Sequence, residues 1–223
     1  MTSDVNLAEA YLLGAFMGDG CVYYDGKHHV FRLDSLDRDF VEKVAHCCEQ
    51  LTGGRYRIKP YCKNKVELYK LWVCSRKIYD FLIQQTEQKR RLPKLVNESK
   101  CREVKAAFIA GLMDSDGYIS MGTLQERWQR FSMGFVNSGA WLEEFKSLLQ
   151  SLGVKVGRST LKRKYRSSRE KDCFQININI RSFVESGLYF GCHRKQAKLE
   201  QYKTSVRYQS YHTSSETVRR APT

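Results

Sequence analysis

A nine-residue segment occurs twice. Leu12-Leu13-Gly14-Ala15-Phe16-Met17-Gly18-Asp19-Gly20 aligns with Ile109-Ala110-Gly111-Leu112-Met113-Asp114-Ser115-Asp116-Gly117, 97 residues later. Each copy carries small residues four apart, Ala10, Gly14 and Gly18 in the first, Ala107, Gly111 and Ser115 in the second. That spacing lies along one face of a helix. Each copy ends in Asp-Gly, where a glycine entering the left-handed region is expected to stop the helix.

The downstream order repeats too. Phe31 and Leu33 alternate with Val30, Arg32 and Asp34, and Phe131, Met133 and Phe135 alternate with Arg130, Ser132 and Gly134, a strand pattern in both cases. Amphipathic helices follow at about 37–52 and 138–152, closed by turns at Gly53-Gly54 and Gly153. Basic hairpins come next, near 55–75 and 155–180, then short helices near 77–85 and 182–188. A 223-residue chain is thus expected to hold a first repeat at 1–88, a linker at 89–101 containing Lys-Arg-Arg-Leu-Pro, a second repeat at 102–207 and a frayed basic tail at 208–223.

Twin small-residue stripes predict two helices packed on each other about a pseudo-twofold axis, which would set Asp19 beside Asp116. Two carboxylates at helix C-termini repel one another unless a cation intervenes. Mg²⁺ suits such a place because it favours oxygen ligands, and the carbonyls of Gly18 and Ser115 could add to the set. Metal-assisted phosphodiester hydrolysis is the chemistry that follows. Asp114 has Met17 as its counterpart and is read as a supporting residue.

Charge points the same way. A formal net charge of +14 calls for a polyanionic partner. No apolar run reaches the roughly 20 residues of a membrane span, no basic signal region opens the chain, and eight cysteines without a CxxC pair read as reduced thiols, so an intracellular protein is expected. Much of the positive charge falls on strands. Arg55, Arg57, Lys59, Tyr61 and Lys63 share one parity, with Tyr56, Ile58 and Cys62 on the other. Arg158, Lys162, Lys164 and Arg166 recur in the second half, where Gln175, Asn177 and Asn179 alternate with Phe174, Ile176 and Ile178. With Arg32 and Lys70 these are the candidate DNA contacts, since guanidinium and amide groups pair with base edges and lysines with phosphates.

The paired segments resemble the motifs of the LAGLIDADG homing endonucleases, in the single-chain form with two copies. The resemblance spans about residues 8–207. It implies an α+β fold of two pseudo-twofold-related αββαββα halves, with saddle-shaped antiparallel sheets that straddle DNA and the two motif helices at the centre. It also implies a monomer that cuts both strands of a long double-stranded target, pseudo-palindromic or asymmetric, across the minor groove, leaving short 3′ overhangs. Divalent metal would be held by Asp19 and Asp116, with Mg²⁺ as cofactor, Mn²⁺ substituting, and Ca²⁺ binding without supporting cleavage. Such proteins act in intron homing and are encoded in chloroplasts, mitochondria or prokaryotes. The family also brings a basic residue from each half near the metals. Here Lys89, Arg90 and Arg91 stand in the first half and His193-Arg194-Lys195 in the second. Arg90, Arg91, His193, Arg194 and Lys195 are the candidates taken from these runs, and Ser35 and Asn137 stand where a polar pocket residue is expected. An RNA maturase, or a DNA-binding protein that does not cleave, is the alternative use of the same fold.

Overall fold

The computed structural model describes residues 4–124, 128–163 and 172–205. Its first half runs α1 (Asp4–Met17), β1 (Cys21–Tyr24), β2 (His29–Ser35), α2 (Arg38–Thr52), β3 (Ile58–Lys63), β4 (Val66–Cys74) and α3 (Arg76–Thr86). After α4 (Lys94–Glu98), the plan recurs as α5 (Arg102–Ser115), β5 (Gly117–Leu124), β6 (Trp128–Asn137), α6 (Leu142–Ser151), β7 (Thr160–Arg163), β8 (Cys173–Asn177) and α7 (Ile180–Glu185). α8 (His193–Thr204) follows. Neither α4 nor α8 belongs to the repeated plan.

Each half forms one antiparallel four-stranded sheet, in the order β1-β2-β4-β3 and β5-β6-β8-β7. Helices cover one face only. In the first half, Phe31, Leu33, Leu71 and Val73 point at the helices and are fully buried, because alternate residues of a strand face opposite sides. In the second, Phe135 packs its ring 4.9 Å from that of Phe145 on α6. Among the described residues, the other face of each sheet is open. Among the described residues, no helix is long and apolar enough to cross a membrane.

Local chemistry sets several boundaries. α2 ends where Gly53 turns left-handed (φ 71°) and returns its N–H to the Glu49 carbonyl at 2.7 Å. Gly153 takes the same region, at φ 90°. Asn64 and Lys65 both adopt positive φ, as the two-residue hairpin joining β3 to β4 requires. α6 begins four residues after the expected start, because Asn137 Oδ1 accepts from Gly139 N and holds a turn there. α7 begins two residues early, because Asn179 Oδ1 caps it by accepting from Ser182 N at 2.9 Å.

One expectation is corrected. Gly20 and Gly117 are not left-handed. Their role is close packing: a Cβ on Gly20 would lie 2.8 Å from Phe16 Cα, and one on Gly117 would lie 2.6 Å from the Met113 carbonyl oxygen. Absence of a side chain lets the chain pass that close to the last turn of each helix.

Candidate functional site

α1 and α5 meet backbone to backbone. A Cβ on Gly14 would lie 2.2 Å from the Phe108 carbonyl oxygen, and one on Gly111 would lie 2.2 Å from that of Tyr11. Further along, a Cβ on Gly18 would lie 1.9 Å from Ser115 Oγ and 3.2 Å from Asp116 Oδ2. No other residue type fits these three positions without parting the helices. The contact therefore brings the two C-terminal ends, and the acid beyond each, together.

Asp116 is the C-cap of α5 and accepts from Asn137 Nδ2 at 2.6 Å. Burial, then the negative charge of Asp19, push its carboxyl up to about 6. Asp19 lies in the turn after α1 with its outer side exposed, yet the protein packed behind it still raises its carboxyl, against the pull of Lys195 and Lys89. Asp116 thus senses the charge of Asp19, and each acid is harder to ionise than a free aspartate.

Two lysines close the site. Lys89 Nζ donates to the carbonyls of Gly18 at 3.0 Å and Gly20 at 2.6 Å. Lys195 Nζ donates to those of Met113 at 3.0 Å, Asp114 at 2.5 Å and Ser115 at 3.2 Å. Each ammonium thus sits on the partly negative end of one motif helix. Burial lowers both pKa values, and nearby carboxylates oppose it: Asp116 and Asp19 for Lys89, Asp114 for Lys195. The Gly18 and Ser115 carbonyls, expected as metal oxygens, here accept from lysines.

Delivery of the two lysines differs. Lys89 ends a run of three non-glycine residues with positive φ, Glu87 at 47°, Gln88 at 61° and Lys89 at 65°. Such residues cost roughly 1–2 kcal/mol apiece. Lys195 instead rides the first turn of α8, whose N-terminus is fixed from elsewhere in the fold. Asp114 accepts from Gly191 N at 2.9 Å and Cys192 N at 3.0 Å, and Asp39 accepts from His193 N. Asp37 grips Arg194 through two bonds of 2.8 Å. Tyr11 on α1 donates to the same Asp114 at 2.5 Å.

Residues 6–85 match the LAGLIDADG-like domain family. Over most of the chain the fold is similar to that of solved homing endonucleases. A mesophilic variant of I-DmoI shares 24% identity over 82% of this chain and 90% of its own, with a TM-score of 0.54. I-WcaI bound to its DNA recognition sequence shares 12% over 89% and 88%, at 0.56, and I-AabMI bound to uncleaved DNA shares 13% over 91% and 92%, at 0.56. The first repeat thus matches the LAGLIDADG-like domain model, and the fold of the chain is similar to that of the solved homing endonucleases. No curated protein sequence matches it.

Within this LAGLIDADG frame the basic candidates separate. Lys195 alone of the five reaches the motif helix ends. Arg90 and Arg91 are exposed, with Arg91 3.5 Å from Glu87. His193 is 92% exposed at its side chain, and Arg194 is spent on Asp37. Lys89, present in the sequence only as the first member of a basic cluster, is the first-half counterpart of Lys195. The periodicity carried no signal for it, because a left-handed turn and not a helix aims it. Asp114 is buried under three donors, and Ser35 Oγ accepts from Asp37 N at 3.2 Å without touching either acid.

The open sheet faces hold most of the strand candidates. Cross-strand register puts Arg32, Lys59, Tyr61, Lys63 and Lys70 on one face, with Lys70 Nζ 4.5 Å from the Tyr61 ring centre. Arg32 is held by Asp34 at 2.5 Å. Arg55 and Arg57 precede β3 and Arg158 precedes β7, all exposed, and Lys162 lies exposed on β7. Gln175 and Asn177 are on β8, but Asn179 lies past its end and is the cap of α7. Lys164 and Arg166, like residues 206–207 and the 208–223 tail, lie outside the described residues. Cys62 is exposed, and Phe174, expected in the core, is 39% exposed beside Leu161 at 51%, its partner across the outer end of the sheet.

Two other features are separate from this centre. A cavity of about 620 Å³, lined by Tyr11, Lys43, His46 and Tyr189 among others, includes neither Asp19 nor Asp116. Asp37, Asp39 and Cys192 bring three ligand-type atoms within 4.8 Å of one another, but both carboxylates already hold the start of α8.

Proposed function

We propose that this chain is a site-specific endonuclease that hydrolyses both strands of a long double-stranded DNA target across the minor groove, acting as a monomer and leaving short 3′ overhangs. One observation carries the reading: two carboxylates with raised pKa values and two ammonium groups, Lys195 buried and Lys89 half-buried, converge where α1 and α5 touch. Their chemistry fits a divalent cation. Oxygen donors that repel one another at the negative ends of two helices gain most when a hard cation joins them. Asp19 and Asp116 would hold it. The bound metal supplies activation of water and neutralisation of charge on the leaving oxygen. Mg²⁺ is the proposed cofactor, with Mn²⁺ substituting and Ca²⁺ binding unproductively; structures of I-DmoI are of complexes with DNA and Ca or Mn.

The protein side of the mechanism follows from the same geometry. Asp116 is aimed by Asn137, and Asp19 is aimed by the turn that Lys89 ties down. Lys89 and Lys195 offset the charge of the two carboxylates and hold the ends of the motif helices that carry them. Open sheet faces carrying Arg32, Lys59, Lys63, Lys70, Gln175 and Asn177 would hold the flanking duplex.

The test is a cleavage selection on randomised DNA with Mg²⁺, with Ca²⁺, and with Asp19→Asn protein. Mg²⁺-dependent double-strand cleavage at one long site, reduced more than roughly a hundredfold in the variant while binding survives, supports the reading. Tight binding to a selected site without cleavage would overturn it in favour of a binding protein or maturase.

A further inference from the structure

In the rows nearest the motif helices the two open sheet faces differ in chemistry. Register places Cys21, Arg32 and Trp72 in one row across the first sheet, and Tyr23, Val30 and Cys74 in the next. Trp72 is 44% exposed there, an unusual position for an indole. Tyr23 supports it edge-on, with ring centres 6.0 Å apart and planes at 84°. The indole Nε1 is already committed, donating to Cys74 Sγ at 3.3 Å. Trp72 therefore offers a fixed apolar surface with no free hydrogen-bonding group. Asp34 likewise occupies two nitrogens of the neighbouring Arg32.

The corresponding rows of the second sheet are polar. Gln175 Nε2 donates to Tyr118 Oη at 2.7 Å and to Asn177 Oδ1 at 2.8 Å, and Ser120 and Ser132 hydroxyls are 2.6 Å apart. Trp128 and Cys173 share this face by strand parity but stand farther out along it, opposite Leu124 and Arg163.

We propose that the first sheet reads part of its half-site by apolar contact of Trp72 with thymine methyl groups, whereas the corresponding rows of the second read by amide and hydroxyl hydrogen bonds. The inference rests on the nuclease reading above and refines its substrate. In the major groove the C5-methyl of thymine is the one apolar feature that a base edge presents, so a donor-free indole can discriminate only there. A hydrogen-bonding face would instead prefer purine and amino edges. The target is then asymmetric in kind as well as in sequence at the base pairs facing these rows: there one half depends on methyl groups and the other does not.

A deoxyuridine scan of the selected target tests this, since uracil keeps every hydrogen-bonding group of thymine and lacks only the methyl. With wild-type protein, binding should weaken roughly three- to fivefold at one or two thymines of one half-site, the worth of a buried methyl. Thymines at the symmetry-related positions of the other half should not respond. Trp72→Ala, at an exposed position that leaves the core intact, should bind thymine and uracil duplexes equally, and Trp72→Phe should restore part of the difference. A half-site without thymine, a scan without effect, or an effect undiminished in Trp72→Ala would overturn the inference while leaving the nuclease standing. Failure to bind any selected DNA would overturn both.

Discussion

Replacing Asp116 by Asn should make the metal-free protein more stable. The carboxyl sits at about 6, against 3.8 for a free aspartate, because burial and Asp19 disfavour its charge. At 1.36 kcal/mol per pH unit that difference is about 3 kcal/mol. A folded-state pKa raised above the unfolded value means that the fold binds the proton more tightly. The favourable contribution is therefore present below pH 3.8 and lost as pH rises through 6. At pH 8 the ionised acid carries the full penalty. Asparagine has no charge to desolvate, and its amide oxygen can still accept from Asn137. Partial solvent access at the cleft reduces the figure, so a gain of about 1–3 kcal/mol is expected at pH 8. For a domain of this size that is roughly 2–4 °C in Tm per kcal/mol. Urea unfolding in EDTA at pH 8, 6 and 4 should show the advantage shrinking as pH falls and vanishing near pH 4. Excess Mg²⁺ should stabilise the wild type and not the variant. Equal or lower stability of the variant at pH 8, or a gain independent of pH, would refute the account of the paired acids.

Three further outcomes are expected. Gly111→Ala, whose Cβ would lie 2.2 Å from the Tyr11 carbonyl oxygen, should cost about 1–3 kcal/mol or more in urea unfolding and also lower cleavage by parting the acids. Lys89→Met and Lys195→Met should each reduce single-turnover cleavage by roughly a hundredfold with binding within a few-fold of wild type, whereas Arg90→Met should not. Lys59→Ala should weaken binding nearly uniformly across sequences and reduce the salt-dependence slope by roughly 0.9, as loss of one phosphate contact does; an unchanged slope would remove Lys59 from the DNA face.

The central juxtaposition was legible in the sequence because it depends on local facts repeated twice. Small residues four apart define a helix face whatever surrounds it, and Gly14, Gly18 and Gly111 close on the partner helix as that spacing demands. Strand parity was legible for the same reason: Arg32, Lys59 and Lys70 share a face because alternation is a property of the extended backbone. Alternation could not say where burial stops, and so Phe174 and Cys62 are exposed on strands that otherwise follow it.

What tertiary structure alone decided is which charged groups reach the acids. Six basic residues stood in two clusters, indistinguishable by type or spacing. Lys89 is selected by three left-handed residues that turn it beneath Gly18 and Gly20. Lys195 is selected by Asp37, Asp39 and Asp114, which hold the start of α8 from 77 or more positions away in sequence. The glycines after each acid show the same division. Sequence marked them as helix stops, yet Gly20 and Gly117 are needed because Phe16 and Met113 leave no room for a Cβ. Backbone periodicity is written residue by residue, whereas the direction of a side chain at a helix end depends on what the distant chain packs against it.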